Sequence, residues 1–219
     1  MPYEDFTTYT EVDPNNHLNK TAYHVDHKAY RNEDCYLYYD KGADHFGDFT
    51  HLVDFKPVSS GSASYAWEIP WMLSNDVDDW VGLKTASKTC IGVHVETGYN
   101  GQPPHIMTVI ENYAGTLYYS STITVVMNTQ YYLTIVKSGT TLTLHIYTDA
   151  ARTQEISGSP QSLTLHGDWK FRYVFASNVY NDGTDTNKWI DVDIDNLDLQ
   201  EFKGLAGSIV SIMEVMDLV

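Results

Sequence analysis

The chain is short of basic residues: 13 Lys and Arg stand against 29 Asp and Glu, a formal net charge of −16 over 219 residues. A surface of that sign repels phosphate backbones and anionic lipid, so neither nucleic acid nor a membrane is an expected partner. Cysteine is scarce too. Cys35 and Cys90 cannot make a disulfide framework; two buried free thiols are the default and a single bridge the alternative. With seven prolines and no low-complexity linker or internal repeat, nothing in the sequence divides it into separate domains. No apolar run reaches the roughly 18 residues of a membrane span. The start, Met1-Pro-Tyr-Glu-Asp-Phe6, lacks the basic and apolar regions of a signal peptide. The nine histidines show no zinc-ligand spacing, and no Ser-His-Asp order can be read.

Aromatics, by contrast, are abundant: 17 Tyr, 7 Phe and 5 Trp, residues that suit half-buried pleated backbone. Strand-like runs succeed one another over 5–12, 22–28, 35–40, 48–57, 63–69, 89–96, 105–111, 116–120, 123–127, 131–137, 142–147, 161–165, 169–177 and 188–199. Turn signals such as Ser59-Ser-Gly-Ser62, Tyr99-Asn-Gly101, Ser138-Gly139 and Asn181-Asp-Gly183 punctuate them. The clearest hairpin spans 131–147, with Leu133 and Ile135 facing Leu142, Leu144 and Ile146. About fourteen short strands in one domain predict an all-β fold, two stacked antiparallel sheets in a jelly-roll sandwich over 1–203. One short helix or irregular turn is expected near 77–85. Residues 204–219 differ, because Leu205, Ile209, Ile212, Met216 and Val219 recur at four- and three-residue steps. They read as a short apolar C-terminal helix or tail that either packs on the sandwich or joins copies into a homo-oligomer.

In the last strand run Ile190, Val192 and Ile194 alternate with Asp191, Asp193 and Asp195. One face is then apolar and the other a row of carboxylates. Such a row can bind a hard cation, do acid–base chemistry on a sugar, or face solvent.

Tyr131-Tyr-Leu-Thr-Ile-Val-Lys137, His145-Ile-Tyr-Thr-Asp-Ala-Ala-Arg152, Phe171-Arg-Tyr-Val-Phe175 and Ile194-Asp-Asn-Leu-Asp-Leu199 resemble the concanavalin A-like lectin/glucanase superfamily. They are most similar to its laminin-G-like domains of phage and environmental sequences, over about residues 3–202. The superfamily includes glucanases, lectins, carbohydrate-binding modules and adhesion domains, so the resemblance speaks to fold more than to ligand. Its glucanases carry Glu-x-Asp-x-Glu on one strand; Asp191-Val-Asp193-Ile-Asp195 keeps the spacing with the shorter Asp at both outer positions. A misplacement of about an ångström costs on the order of a hundredfold in rate, so catalysis by this ladder is disfavoured.

The resemblance also implies a structural calcium ion between the chain ends, held by Asp195 with Glu4 or Asp5. The loops 75–79 and 181–187 are further candidates, the latter through Asp182 and Asp185. For sugar, whose C–H faces pack on aromatic rings, Trp71 and Trp80 are the expected exposed platforms. Tyr99, Asn100, Tyr180 and Asn181 are expected loop contacts, and Trp67, Trp169 and Trp189 are expected in the core. The leading expectation is a non-catalytic module for a polysaccharide or cell-surface glycan, extracellular or on a virion surface. A structural assembly domain comes second and a glycoside hydrolase third.

Overall fold

The computed structural model describes residues 3–62 and 65–201. Among them are fifteen strands and one α-helix: β1 (Thr10–Val12), β2 (Leu18–Lys20), β3 (His24–Tyr30), β4 (Tyr36–Asp40), β5 (Phe49–Ser60), β6 (Trp67–Ser74), α1 (Trp80–Thr85), β7 (Cys90–Glu96), β8 (His105–Tyr113), β9 (Thr116–Tyr119), β10 (Ile123–Val125), β11 (Tyr131–Ser138), β12 (Thr141–Tyr147), β13 (Gln161–Thr164), β14 (Tyr173–Val179) and β15 (Trp189–Glu201). The apolar tail expected over 204–219 lies outside the described residues, as does the start of the strand expected at 63.

Two antiparallel sheets stack face to face. The eight-stranded sheet runs β1-β4-β14-β6-β7-β8-β10, with β9 also paired to β8; the seven-stranded sheet runs β13-β12-β11-β5-β15-β3-β2. Strands that are far apart in the chain therefore lie side by side, as the jelly-roll expectation required. β15 sits between β5 and β3, so the carboxy-terminal strand is central rather than an edge. The expected hairpin forms as β11 and β12, in register from Tyr132 opposite Tyr147 to Ser138 opposite Thr141.

Period-two burial builds the core. Phe49, Val53 and Phe55 of β5, Leu133 and Ile135 of β11, and Ile190, Val192 and Ile194 of β15 all point between the sheets and are fully buried. A polar bridge crosses the same interior: Ser177 Oγ donates to Glu68 Oε1 at 2.7 Å and meets His27 Nδ1 at 2.5 Å, all three residues buried. Cys35 and Cys90 are free and buried, which settles the thiol alternative.

Two local features differ from the expectation. Residues 5–8 do not begin a strand: the Asp5 carboxylate accepts from Thr7 N and Oγ, capping a 3-10 turn over Phe6–Thr8 before β1. A short side chain that bonds its own backbone competes with strand pairing. β2 was not foreseen, three residues being too few to show a period. The short element expected near 77–85 forms as α1, started by Asp79, whose Oδ1 accepts from Val81 N at 2.7 Å and Gly82 N at 3.2 Å.

α1 lies on the outer face of the eight-stranded sheet, where Trp80 and Leu83 pack against Ile69, Met72, Cys90, Ile110 and Phe175. Part of that face is covered, and the rest is left for other contacts.

Candidate functional site

The uncovered part of the eight-stranded sheet gathers aromatic rings around one acid. Its geometry starts from a break in β6: Glu68 pairs with Val95 and Trp71 with Val93, so two residues, Ile69 and Pro70, oppose one. Such a bulge shifts the in–out alternation by one, and the proline inside it has no N–H to contribute to the ladder. Glu68, Trp71 and Leu73 therefore face the core, while Trp67, Ile69 and Met72 face out.

Trp67 is half-buried, with its ring 4.0 Å from that of Tyr180 and 4.3 Å from that of His94. His94 and Glu96 share the outer side of β7 because Ile91, Val93 and Val95 occupy the inner one. Tyr119, at the end of β9, lies 6.3 Å from His94 and is largely exposed. The Arg31 guanidinium stands over both Trp67, at 5.2 Å, and Tyr180, at 4.9 Å, a cation–π arrangement. It is anchored by the Asp182 carboxylate and the Tyr65 carbonyl. Tyr65 and Tyr99, 6.4 Å apart, continue the aromatic surface outward, Tyr99 being 68% exposed.

Electrostatics separate the roles of these groups. Burial, with the Arg31 charge second, pushes His94 down to about 3, so its imidazole is neutral; among the described residues neither ring nitrogen has a hydrogen-bond partner, Nε2 lying 3.9 Å from the Glu96 carboxylate. Burial raises the Glu96 carboxyl, while Arg31 and the Trp67 N–H pull it back. Burial pushes Tyr119 up to about 12, helped by Tyr180 and Glu96, so its phenol keeps its proton. The face thus offers flat rings, the Glu96 carboxylate as acceptor, tyrosine phenols and the Arg31 guanidinium.

The expected site residues divide sharply. Tyr180 lies at the centre of the cluster and Tyr99 at its rim. Asn100 stands beside Tyr99 in the same 3-10 turn at φ 53, and Asn181 gives its amide to Asp34 Oδ1 at 2.7 Å. Trp71 and Trp80 are not platforms: both are fully buried, Trp71 between the sheets with its Nε1 donating to His51 Nδ1 at 3.1 Å, Trp80 beneath α1. Trp67, expected in the core, stands in the outer cluster instead. Trp189 lies outside the core too, under the Lys28 ammonium at 4.1 Å, whereas Trp169 does pack against the core and donates to Glu111 at 2.7 Å. Arg31, His94, Glu96 and Tyr119 were missed, although the Ile91/Val93/Val95 alternation already puts His94 and Glu96 together on the opposite face.

The carboxylate ladder lies on the outer face of the seven-stranded sheet, as its alternation required. It is a charge mosaic. Asp195 accepts from His24 Nδ1 at 2.8 Å, Asp193 lies 4.0 Å from Lys56 Nζ, and Asp191 accepts from Ser59 Oγ at 3.2 Å. The carboxylates expected to hold calcium each have protein partners. The first described residues do meet the last strand, Glu4 N donating to Leu197 O at 2.8 Å, but the Glu4 carboxylate turns to Lys41 Nζ at 2.7 Å and that of Asp5 to Thr7. Asp182 holds Arg31 and Thr184, and Asp185 accepts from Asn187 N. Among the described residues no three His, Cys, Asp or Glu side chains stand close enough to hold a metal ion.

No protein-family model matches the chain, and no curated protein does. Solved structures do match by shape. The carbohydrate-binding module CBM66 from Bacillus subtilis aligns with TM-score 0.56 at 10% identity, over 92% of this chain and all of that one. The β-glucanase of Bacillus licheniformis aligns with TM-score 0.57 at 10% identity, over 91% of this chain and 96% of that one. The exoplasmic/lumenal domain of VIP36, in a Ca2+/Man3GlcNAc-bound form, aligns with TM-score 0.55 at 13% identity, over 92% of this chain and 89% of that one. At such identities the likeness speaks for architecture alone: the chain has the concanavalin A-like jelly-roll fold.

Proposed function

We propose that this chain is a non-catalytic glycan-binding module whose binding face is the open part of the eight-stranded sheet. The observation that carries the reading is the cluster of Trp67, Tyr180 and Tyr119 around Glu96 and Arg31. Sugar rings present flat C–H faces that pack on such rings, while their hydroxyls donate to a carboxylate and accept from a guanidinium or phenol. A carbohydrate-binding module, a β-glucanase and a Man3GlcNAc-bound domain share this architecture, which supports sugar as the ligand class without choosing between binding and hydrolysis. Binding is favoured over hydrolysis by the charges: glycoside hydrolysis uses a pair of carboxyls, and the charged group that perturbs Glu96 is Arg31.

Affinity electrophoresis through gels holding a panel of neutral and acidic polysaccharides tests this. Retardation by at least one polymer is expected, with loss in Trp67→Ala and Tyr119→Ala proteins that keep the wild-type fold. Stacking on one ring is worth about 1–2 kcal/mol, roughly five- to thirtyfold in affinity. Retardation by no polymer, or release of reducing ends from one, rejects the reading.

A further inference from the structure

A different part of the surface carries a second set of converging groups. An open cleft of about 320 Å³ is lined by Asn15, His17, Tyr30, Asn32, Glu33 and Thr186. Its base is fixed. Glu33, only 6% exposed, takes the Asn15 amide at 2.5 Å and His17 Nδ1 at 2.6 Å. His17 Nδ1 is taken up by this bond, which leaves Nε2 as the ring's other hydrogen-bonding atom. That nitrogen, the Asn32 amide and the Thr186 hydroxyl make no hydrogen bond to another described residue. His17 in turn lies against the Tyr30 ring, 4.5 Å between centroids at 31°, and the Lys28 ammonium stands 5.5 Å from the same ring, so the aromatic part of the lining is this ring pair rather than a bare Tyr30 face.

The lining also defines what is excluded. No Lys or Arg is among its lining residues and a carboxylate lies at its base, while the neighbouring Lys28 ammonium is seated over Trp189 at 4.1 Å, so the lining itself favours a neutral ligand over phosphate, sulfate or uronate. The volume falls at the small end of ligand pockets, about 300–1,000 Å³, and suits one or two sugar residues rather than a stretch of polymer.

We propose that this cleft is a second, independent saccharide site. It takes one neutral sugar residue, with its ring against the His17–Tyr30 pair and its hydroxyls on His17 Nε2, Asn32 and Thr186. It is distinct from the Trp67 face. Tyr30 and Asn32 line the cleft, whereas the intervening Arg31 side chain turns away to Trp67 and Tyr180.

The test is a titration of the 15N-labelled chain with the methyl glycosides of glucose, galactose, mannose and fructose, and with galacturonate, following the amides of His17, Asn32 and Thr186. At least one neutral glycoside should shift these amides saturably, and galacturonate should bind about tenfold more weakly or worse. His17→Phe keeps a ring against Tyr30 but has no Nε2, and Asn32→Ala trims an exposed side chain; each should weaken binding about tenfold. Trp67→Ala should leave the cleft shifts unchanged, which separates this site from the aromatic face whether or not that face binds glycan. No saturable shift with any neutral glycoside, equal binding of galacturonate, or wild-type affinity in both cleft variants overturns the proposal.

Discussion

Trp67 and Trp71 are four residues apart, and a regular strand would set them on one face. The bulge in β6 sets them on opposite faces, and this predicts opposite phenotypes. Trp71→Ala removes a fully buried indole packed 5.6 Å from Phe49 and from His51, together with its bond to His51 Nδ1. Truncating a buried aromatic to alanine costs about 3–5 kcal/mol. His51 makes the upper half of that range the expectation: its Nε2 already serves Glu201 at 2.8 Å, so Nδ1 becomes an orphaned buried acceptor. In a domain of this size each kcal/mol moves Tm by about 2–4 °C, so a loss of about 4 kcal/mol lowers Tm by roughly 8–16 °C. Trp67→Ala loses only half-buried surface, about 1–2 kcal/mol and roughly 2–8 °C. On polysaccharide the order reverses: Trp67→Ala loses retention, while Trp71→Phe, which keeps a ring in the core, retains it. Thermal melting by circular dichroism and affinity electrophoresis on the same three proteins decide the matter. A larger fall in Tm for Trp67→Ala than for Trp71→Ala would mean that the two indoles face the other way round, and the binding face would fall with that assignment.

Two pH experiments probe buried groups. His94 is held at about 3 against about 6.5 when unfolded. The unfolded chain therefore takes up the proton between those values and the folded chain does not, so stability from this residue falls as pH drops below about 6.5. His94→Phe should gain Tm over wild type at pH 5 and gain less at pH 8; a difference independent of pH would contradict the assignment. Asp79 has the opposite sign. Burial, with the charges of Asp34 and Asp78, pushes its carboxyl up to about 6 from 3.8, against the cap bonds of Gly82 and Val81. Its contribution is full below about 3.8 and lost as pH rises through about 6. Asp79→Asn keeps a cap acceptor without the charge, so it should melt above wild type at pH 7.5 and lose that advantage by pH 4; the reverse trend would refute the burial argument. Because Glu4, Asp5 and Asp195 are each held by protein partners, about 5 mM calcium should leave Tm within about 1 °C of chelator-treated protein. A rise of about 5 °C would show that these carboxylates do assemble around the ion.

Much of the framework was legible because it rests on short-range periodicity. The alternation of Ile190, Val192 and Ile194 with three Asp residues set the inner and outer faces of β15. The apolar residues on either side of Ser138-Gly139 set the β11–β12 register. The same rule places His94 and Glu96 opposite Ile91, Val93 and Val95. Three things were not legible. The bulge at Pro70 reverses alternation in the middle of a strand. α1 covers one half of a sheet and leaves the other open. Asp195 finds His24 across 171 residues of chain, a pairing that no local pattern announces. By itself the sequence determined the sandwich, its strands and the face to which most side chains point, since steric and hydrophobic period act between neighbours in the chain. Only the tertiary structure decided which aromatics meet and which carboxylates are already engaged, because those outcomes depend on register between strands far apart in sequence.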